Sequence, residues 1–297
     1  MDSPVKDILG KLRALDLSTY PAKEAQTLIE KLVENMEDLA FYVCLLSPGK
    51  YIVRARLGGD FHSRCELGYR HPKLNKIYSR ACIPGSTMFY GTLPADYDDS
   101  EGVALVVAHE ISSWLNADSP AQVCEKITFS EWVVTKEITL VSFMRKNEIP
   151  HNLYTSQLTA NSNFQHFQEF FANEFSKANV QSDFEYLLSA VCSDVFLKNS
   201  SCGGILYPTI YYPDNRPVFN VAIKPKIADN NLMLTFVEER TVYKNGNKVF
   251  CNSDKICELY EHQTHFVYVD SPMHHPIEMC LRKIGVDNMQ DLLPKTN

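Results

Sequence analysis

Five phenylalanines, Phe164, Phe167, Phe170, Phe171 and Phe175, recur at steps of three and four residues. Side chains at those steps stack on one face of a helix. A helix with so heavy an aromatic stripe must lay it against another apolar layer, so the chain is bound to a layered fold with a real interior. A stripe of this kind is read as core and not as a cofactor box. The stretch from Asn163 to about Leu197 reads as largely helical, in two pieces broken near Asn179-Val180-Gln181. The chain can supply the partner layer. It has 297 residues, 45% of them hydrophobic and 22% charged, ordinary globular usage and enough for one large core or two small ones.

The other segments say what that layer is. Residues 4–36 read as two helices, with Leu9, Leu12 and Leu15 and then Leu28, Leu32 and Met36 at helical spacing. The break between them is Ser18-Thr19-Tyr20-Pro21, a cap followed by proline. Strand patterns begin at Ala40 and run through Leu46 to a Pro48-Gly49 turn. In Tyr51 to Arg56, Ile52, Arg54 and Arg56 share one face while Tyr51, Val53 and Ala55 share the other. Two arginines in such a strand mark a solvated edge or a phosphate-facing wall. Further strands are expected at Met88-Phe89-Tyr90, Ile127–Thr135, Glu137–Phe143, Gly203–Ile210, Asn220–Ile223 and His265–Val269. Asn245-Gly246, between Val242-Tyr243 and Val249-Phe250, is a hairpin signal. After a loop from Leu93 to Asp99, Ser100 and Glu101 cap a helix from Val103 to about Leu115, with Ala104, Val107, Ala108 and Ile111 as its stripe. Helices and strands do not alternate as βαβ units, and no internal repeat is present. The class is therefore α+β. The expected division is an N-terminal helical segment at 1–39, a central domain at 40–235 and a C-terminal β-hairpin extension at 236–297, packed on the same domain.

Charge and motifs remove several functions. Lys and Arg number 29 against 36 Asp and Glu, a net charge of −7. A nucleic-acid partner needs a basic face, and the mildly basic stretch from Arg64 to Arg80 reads as a solvated loop. No run of 18 apolar residues suggests a membrane span, and Met1 to Tyr20 lacks a signal-peptide pattern. The expected location is cytoplasmic. Nine scattered cysteines without a C-x-x-C pair read as reduced thiols. His274-His275 has no partner at zinc spacing, so no metal is expected. The phosphate-cradling glycine loops, the H-E-x-x-H zinc helix and the G-x-S-x-G elbow are all missing. His109-Glu110 begins like a zinc helix, but no histidine follows at the required offset.

Four chemistry-bearing pieces remain in one order: Arg80 before a turn, Tyr90 on a strand, Glu110 on the next helix, and Thr209 after Tyr207-Pro208. This ordered set resembles the RES domain, a family named for its Arg, Glu and Ser. Its arginine starts a segment that ends ten residues on in a tyrosine, as Arg80 and Tyr90 do. Ser79-Arg80-Ala81-Cys82-Ile83-Pro84-Gly85 is similar to the family's arginine loop, and Val107-Ala108-His109-Glu110 to its glutamate helix. Gly203 to Thr209 is similar to its Gly-Ile-x-Tyr-Pro-Ser strand, and Asn220 to Ile223 to the strand that follows. The resemblance covers roughly residues 40–235. Thr209 stands in place of the family serine, and Cys82 at its small or asparagine position.

The resemblance implies an ADP-ribosyltransferase-like mixed sheet flanked by helices. It also implies an enzyme that breaks the nicotinamide–ribose bond of NAD by hydrolysis or phosphorolysis, as a bacterial toxin or anti-phage effector. NAD would be the substrate, with no further cofactor. The implied roles suit the residue types. A guanidinium at Arg80 grips the pyrophosphate in a fork, and the ring of Tyr90 stacks on nicotinamide or ribose. A carboxylate at Glu110 steadies positive charge growing on the ribose, and Thr209 hydrogen-bonds the ribose, a phosphate or Glu110. Arg54, Arg56 and Tyr207 are further candidates for holding the dinucleotide. An antitoxin or activating protein and a homodimer are the expected partners. Two other readings stand beside this one: an ADP-ribosyltransferase acting on a macromolecule, and a catalytically degenerate RES-like binding module.

Overall fold

In a computed structural model of the chain, the described residues are 4–35, 43–94, 100–116, 124–145, 148, 154–156, 162–178, 180–210, 218–260, 263 and 265–286. Of the residues singled out above, Met36, Ala40 to Tyr42, Ala95 to Asp99 and Asn179 lie outside them, as do the side chains of Ser100 and Glu101. The chain is α+β, with helices and a mixed sheet. It divides into two compact units of interleaved segments: Met1–Lys50, Tyr69–Ala95 and Val134–Leu232 in the first, Tyr51–Gly68, Asp96–Val133 and Met233–Asn297 in the second.

The first unit carries strands β1 (Val43–Leu46), β3 (Phe89–Leu93), β5 (Ile138–Ser142), β6 (Tyr154–Ser156), β7 (Gly204–Pro208) and β8 (Phe219–Ile223). Their order is β3-β8-β7-β5-β1-β6. β5 and β7 run parallel, and the other pairings are antiparallel. Gly204 lets β7 and β8 close up: a Cβ there would run into the Ala222 carbonyl and lie 2.9 Å from the Ile223 Cα. Helices α1 (Pro4–Arg13), α2 (Ala22–Glu34), α6 (Ser162–Phe175) and α7 (Leu187–Asn199) pack on one another, and α6 packs on β7. All five phenylalanines of the sequence stripe are buried on α6. Phe143, just past β5, stacks on Phe175 at 4.7 Å and meets Phe196 edge-on at 5.6 Å. Val141, Ile205, Tyr207 and Ala222 share this core with the helices, so one sheet face looks into it. Each fully buried phenylalanine contributes about 1.5–3 kcal/mol of transfer free energy.

The second unit holds β2 (Tyr51–Leu57), β4 (Cys124–Val134), β9 (Leu232–Asn245), β10 (Lys248–Glu258) and β11 (Val269–Asp270), in the order β11-β10-β9-β4-β2. The Asn245-Gly246 hairpin joins β9 to β10, with Gly246 at φ +57°. Helix α4 (Ser100–Ile111) buries Val103, Ala104, Val107 and Ala108 with Val53, Ala55, Ile127, Phe129 and Val242. It ends four residues before the expected Leu115, which lies instead on the short helix α5 (Ser113–Asn116). Helix α3 (Arg64–Leu67) follows β2, and helix α9 (Ile277–Lys283) packs Cys280 and Leu281 with Tyr243. The expected strand at 265–269 shrinks to Val269–Asp270. Helix α8 (Pro225–Asn231), in the first unit, starts on a proline that the sequence reading passed over. Among the described residues, no helix is long and apolar enough to cross a membrane.

Candidate functional site

The register of three strands brings Tyr90, Tyr207 and Thr209 together in the first unit. Tyr90 on β3 faces Ala222 on β8, which faces Ile205 on β7. One step along, Thr92 faces Asn220, which faces Tyr207. Residues opposite one another in a ladder point to the same side, and so do residues two apart. Tyr90, Thr92, Asn220 and Tyr207 therefore share the core-facing side of the sheet, and Thr209 continues that column just past β7. Thr92, Tyr207, Thr209 and Asn220 are all buried. The Thr92 Oγ1 donates to the Asn220 Oδ1 at 2.8 Å.

Tyr90 organises the arginine turn. Its hydroxyl accepts from the Ala81 amide at 3.1 Å, lies 3.0 Å from the Ser79 Oγ and donates to the Cys82 Sγ at 3.1 Å. These contacts match a phenol's one proton and two lone pairs. Ser79 and Cys82 close the turn with mutual backbone hydrogen bonds of 2.9 and 3.1 Å. Burial pushes the Tyr90 phenol well above its ordinary range, and the neighbouring Cys82 and Tyr207 add to the push. Burial likewise raises the Cys82 thiol, against the pull of hydrogen bonds from Tyr90, Ser79 and Ser86. Both groups are neutral at physiological pH.

Arg80 projects from this turn to the C-terminal end of α6. Its Nη1 donates to the carbonyls of Phe175 and Lys177, and its Nη2 to the Lys177 carbonyl at 3.2 Å and the Tyr186 hydroxyl at 3.5 Å. The guanidinium carbon lies 5.1 Å from the centre of the Tyr186 ring. A cation at a helix C-terminus is held by the exposed carbonyls and the negative end of the dipole. Phe175 links the parts, because its ring packs on Tyr207 at 5.5 Å while its carbonyl holds Arg80. A second brace holds the approach to the turn. The Asp183 carboxylate accepts from the Tyr20 hydroxyl at 2.7 Å and the Tyr78 amide at 3.0 Å. Those bonds, Tyr20's the larger, hold the carboxyl below its ordinary pKa.

The remaining candidates belong to the second unit. Glu110 is half-buried in the last turn of α4. Arg54 and Arg56 on β2 are also half-buried. The Arg54 Nε donates to the Leu67 carbonyl at 2.9 Å and the Arg56 Nη2 to the Gly68 carbonyl at 2.5 Å. These bonds tie the strand to the end of α3, a third role beside the edge and the phosphate wall. His274 pairs with Asp254 at 3.4 Å, and among the described residues no group of three or more His, Cys, Asp or Glu side chains could hold a metal.

Sequence reasoning passed over Thr92, Tyr186 and the part played by Asn220. One signal was available: Thr92 lies two residues after Tyr90, hence on its face, and Asn220 is the one polar residue of β8. Comparison with models of known families gives no match, and comparison with curated proteins gives none.

Proposed function

We propose that the chain cleaves NAD at the nicotinamide–ribose bond, the activity implied by its resemblance to the RES domain, on an ADP-ribosyltransferase-like fold. The observation that supports this most is the gathering of Arg80, Tyr90, Tyr207 and Thr209 around one turn and one strand end in the first unit. In the reaction, the C1′–N bond breaks and its electron pair leaves with nicotinamide. A bond then forms from C1′ to the oxygen of water, which releases a proton, or to an oxygen of phosphate. The ribose carbon passes through an oxocarbenium-like state that a carboxylate stabilises, and the resemblance gives Glu110 that part. Tyr90 holds the Arg80 turn in shape as a neutral phenol, so its part is positioning rather than stacking.

The test is direct. Purified protein is incubated with NAD, with and without phosphate, and the products are identified by mass. Nicotinamide with ADP-ribose, or with ADP-ribose phosphate when phosphate is present, is the expected result, lost in Glu110→Gln. NAD left intact overturns the proposal. One observation favours the degenerate binding module instead: the Arg80 Nη1 and Nη2 are already held by carbonyls of the α6 end. That reading predicts binding without turnover.

A further inference from the structure

We infer that Thr92 and Asn220 form a positioning pair for the Tyr207–Thr209 end of β7, an inference that rests on the proposed NAD-cleaving activity. The side chains lie in one row across three strands, Thr92 on β3, Asn220 on β8 and Tyr207 on β7, each directly opposite the next. The row is buried in a face that also carries Tyr90, Val141, Ile205 and Ala222 and whose covering helices supply phenylalanines. A neutral hydrogen bond in such a place contributes only about 0.5–1.5 kcal/mol net. Apolar side chains of matching shape would serve stability as well, so the polarity calls for another cause.

Orientation supplies one. An asparagine amide has an acceptor side and a donor side, and only its hydrogen-bond partners decide which way it faces. The Thr92 hydroxyl, on the β3 side, donates to Oδ1 at 2.8 Å. That choice fixes which side of the amide is acceptor and which is donor, with the Nδ2 donors on the side away from the Thr92 hydroxyl. Residues opposite one another across a ladder have Cβ atoms about 4.5–5.5 Å apart, so Tyr207 is the immediate neighbour on β7. Thr92 thus sets the amide of Asn220, which stands directly beside Tyr207 in the row, with Thr209 next on the same face. Neither residue of the pair is assigned contact with substrate. They act through Tyr207 and Thr209.

The experiment compares wild type, Thr92→Val, Thr92→Ser and Asn220→Asp for NAD turnover, with thermal unfolding of each as a folding control. Valine keeps the shape and removes the hydroxyl, serine keeps the hydroxyl, and aspartate removes the donors. A positioning pair predicts kcat lowered about tenfold in Thr92→Val and Asn220→Asp, the equivalent of one hydrogen bond. KM should stay within about twofold, since uniform binding is untouched, and Thr92→Ser should restore kcat. Wild-type turnover with an unchanged kcat in Thr92→Val, or a kcat that serine fails to restore, overturns the pair and leaves the activity standing. Absence of turnover in wild type overturns the activity and the pair's part in it together.

Discussion

Both units bury neutral polar side chains in their strands, and among the described residues the second alone adds buried charges to them. Glu238, Glu239 and Arg240 follow one another on β9, and Glu239 is wholly shielded from solvent. Each meets a partner inside that unit, while the buried Glu239 Oε2 and Arg240 Nε make no hydrogen bond. The Arg240 Nη2 meets the Glu238 Oε2 at 2.7 Å, and its guanidinium sits 5.3 Å over the Phe129 ring. The Asp60 amide donates to the Glu239 Oε1 at 2.5 Å, with the Lys126 Nζ 4.0 Å from the Oε2. In the first unit the buried groups are neutral: Thr92, Asn220, Tyr207 and Thr209. Buried charges must be neutralised where they stand, so they close on one another and stabilise a local geometry. Neutral donors and acceptors fix direction without that demand, which suits a site that must receive something from outside.

The strongest way to break this contrast is in the second unit. Arg240→Met keeps the apolar contact with Phe129 and leaves the Glu238 carboxylate buried alone. It should lower stability by about 3–5 kcal/mol, the usual cost of removing one partner from a buried ion pair. The double variant Glu238→Gln, Arg240→Met should recover most of the loss. Denaturant midpoints of the three proteins give the answer. If the single and double variants are equally unstable, the pair is not the cause and the charges lose their proposed part.

The sequence already carries the helical layer, because the phenylalanine stripe of α6 and the leucines of α1 and α2 are local patterns that a helix reads at steps of three and four. The Asn245-Gly246 hairpin is equally local. The Arg80 turn shows in the sequence, but its binding does not. The residues that hold the guanidinium lie 95 to 106 positions away. Thr92 and Asn220 are 128 positions apart, and only the ladder register brings them side by side. The same holds for Arg54 and Arg56. Alternation places them on a face, and only the fold adds α3, whose last carbonyls they bind. Glu238 and Glu239 are buried and Arg240 half-buried on β9, where Asp60, Lys126 and Phe129 from distant segments meet Glu239 and Arg240. Long-range pairing decides each of these cases, and periodicity does not encode it.

A middle-sized effect sharpens the first unit's side of the contrast. Tyr90→Phe removes one hydroxyl and with it three contacts, to Ser79, to the buried Ala81 amide and to Cys82. The expected loss is about 2 kcal/mol, chiefly from an amide left without its acceptor, measured by denaturant unfolding. The Arg80 turn should loosen, so hydrogen exchange at Ala81 and Cys82 should speed up while the α6 interior stays protected. Unaltered exchange at those two amides would mean that the turn stands without its phenol.

The smallest expected effect concerns pH, and its sign separates the two braces of the Arg80 turn. Asp183 is held below its ordinary pKa of 3.8 by the bonds from Tyr20 and Tyr78. A carboxyl whose folded pKa is depressed adds stability that is complete above the unfolded pKa and is lost as pH falls through the folded one. The Tyr20–Asp183 brace should therefore weaken as the solution is acidified below about pH 4. Tyr90 works in the opposite direction. Its phenol is raised, so its contribution is complete below pH 10 and fades only as alkali ionises it. Asp183→Asn removes the acid-side dependence and leaves the alkaline one. Because Tyr20 and Asp183 are not deeply buried, solvent screening keeps the acid term small. The measurement is the unfolding midpoint of wild type and Asp183→Asn between pH 3 and pH 6. Wild type should lose its advantage towards the acid end, and parallel curves across that range would show that the carboxylate is not what holds Tyr78 and the approach to Arg80.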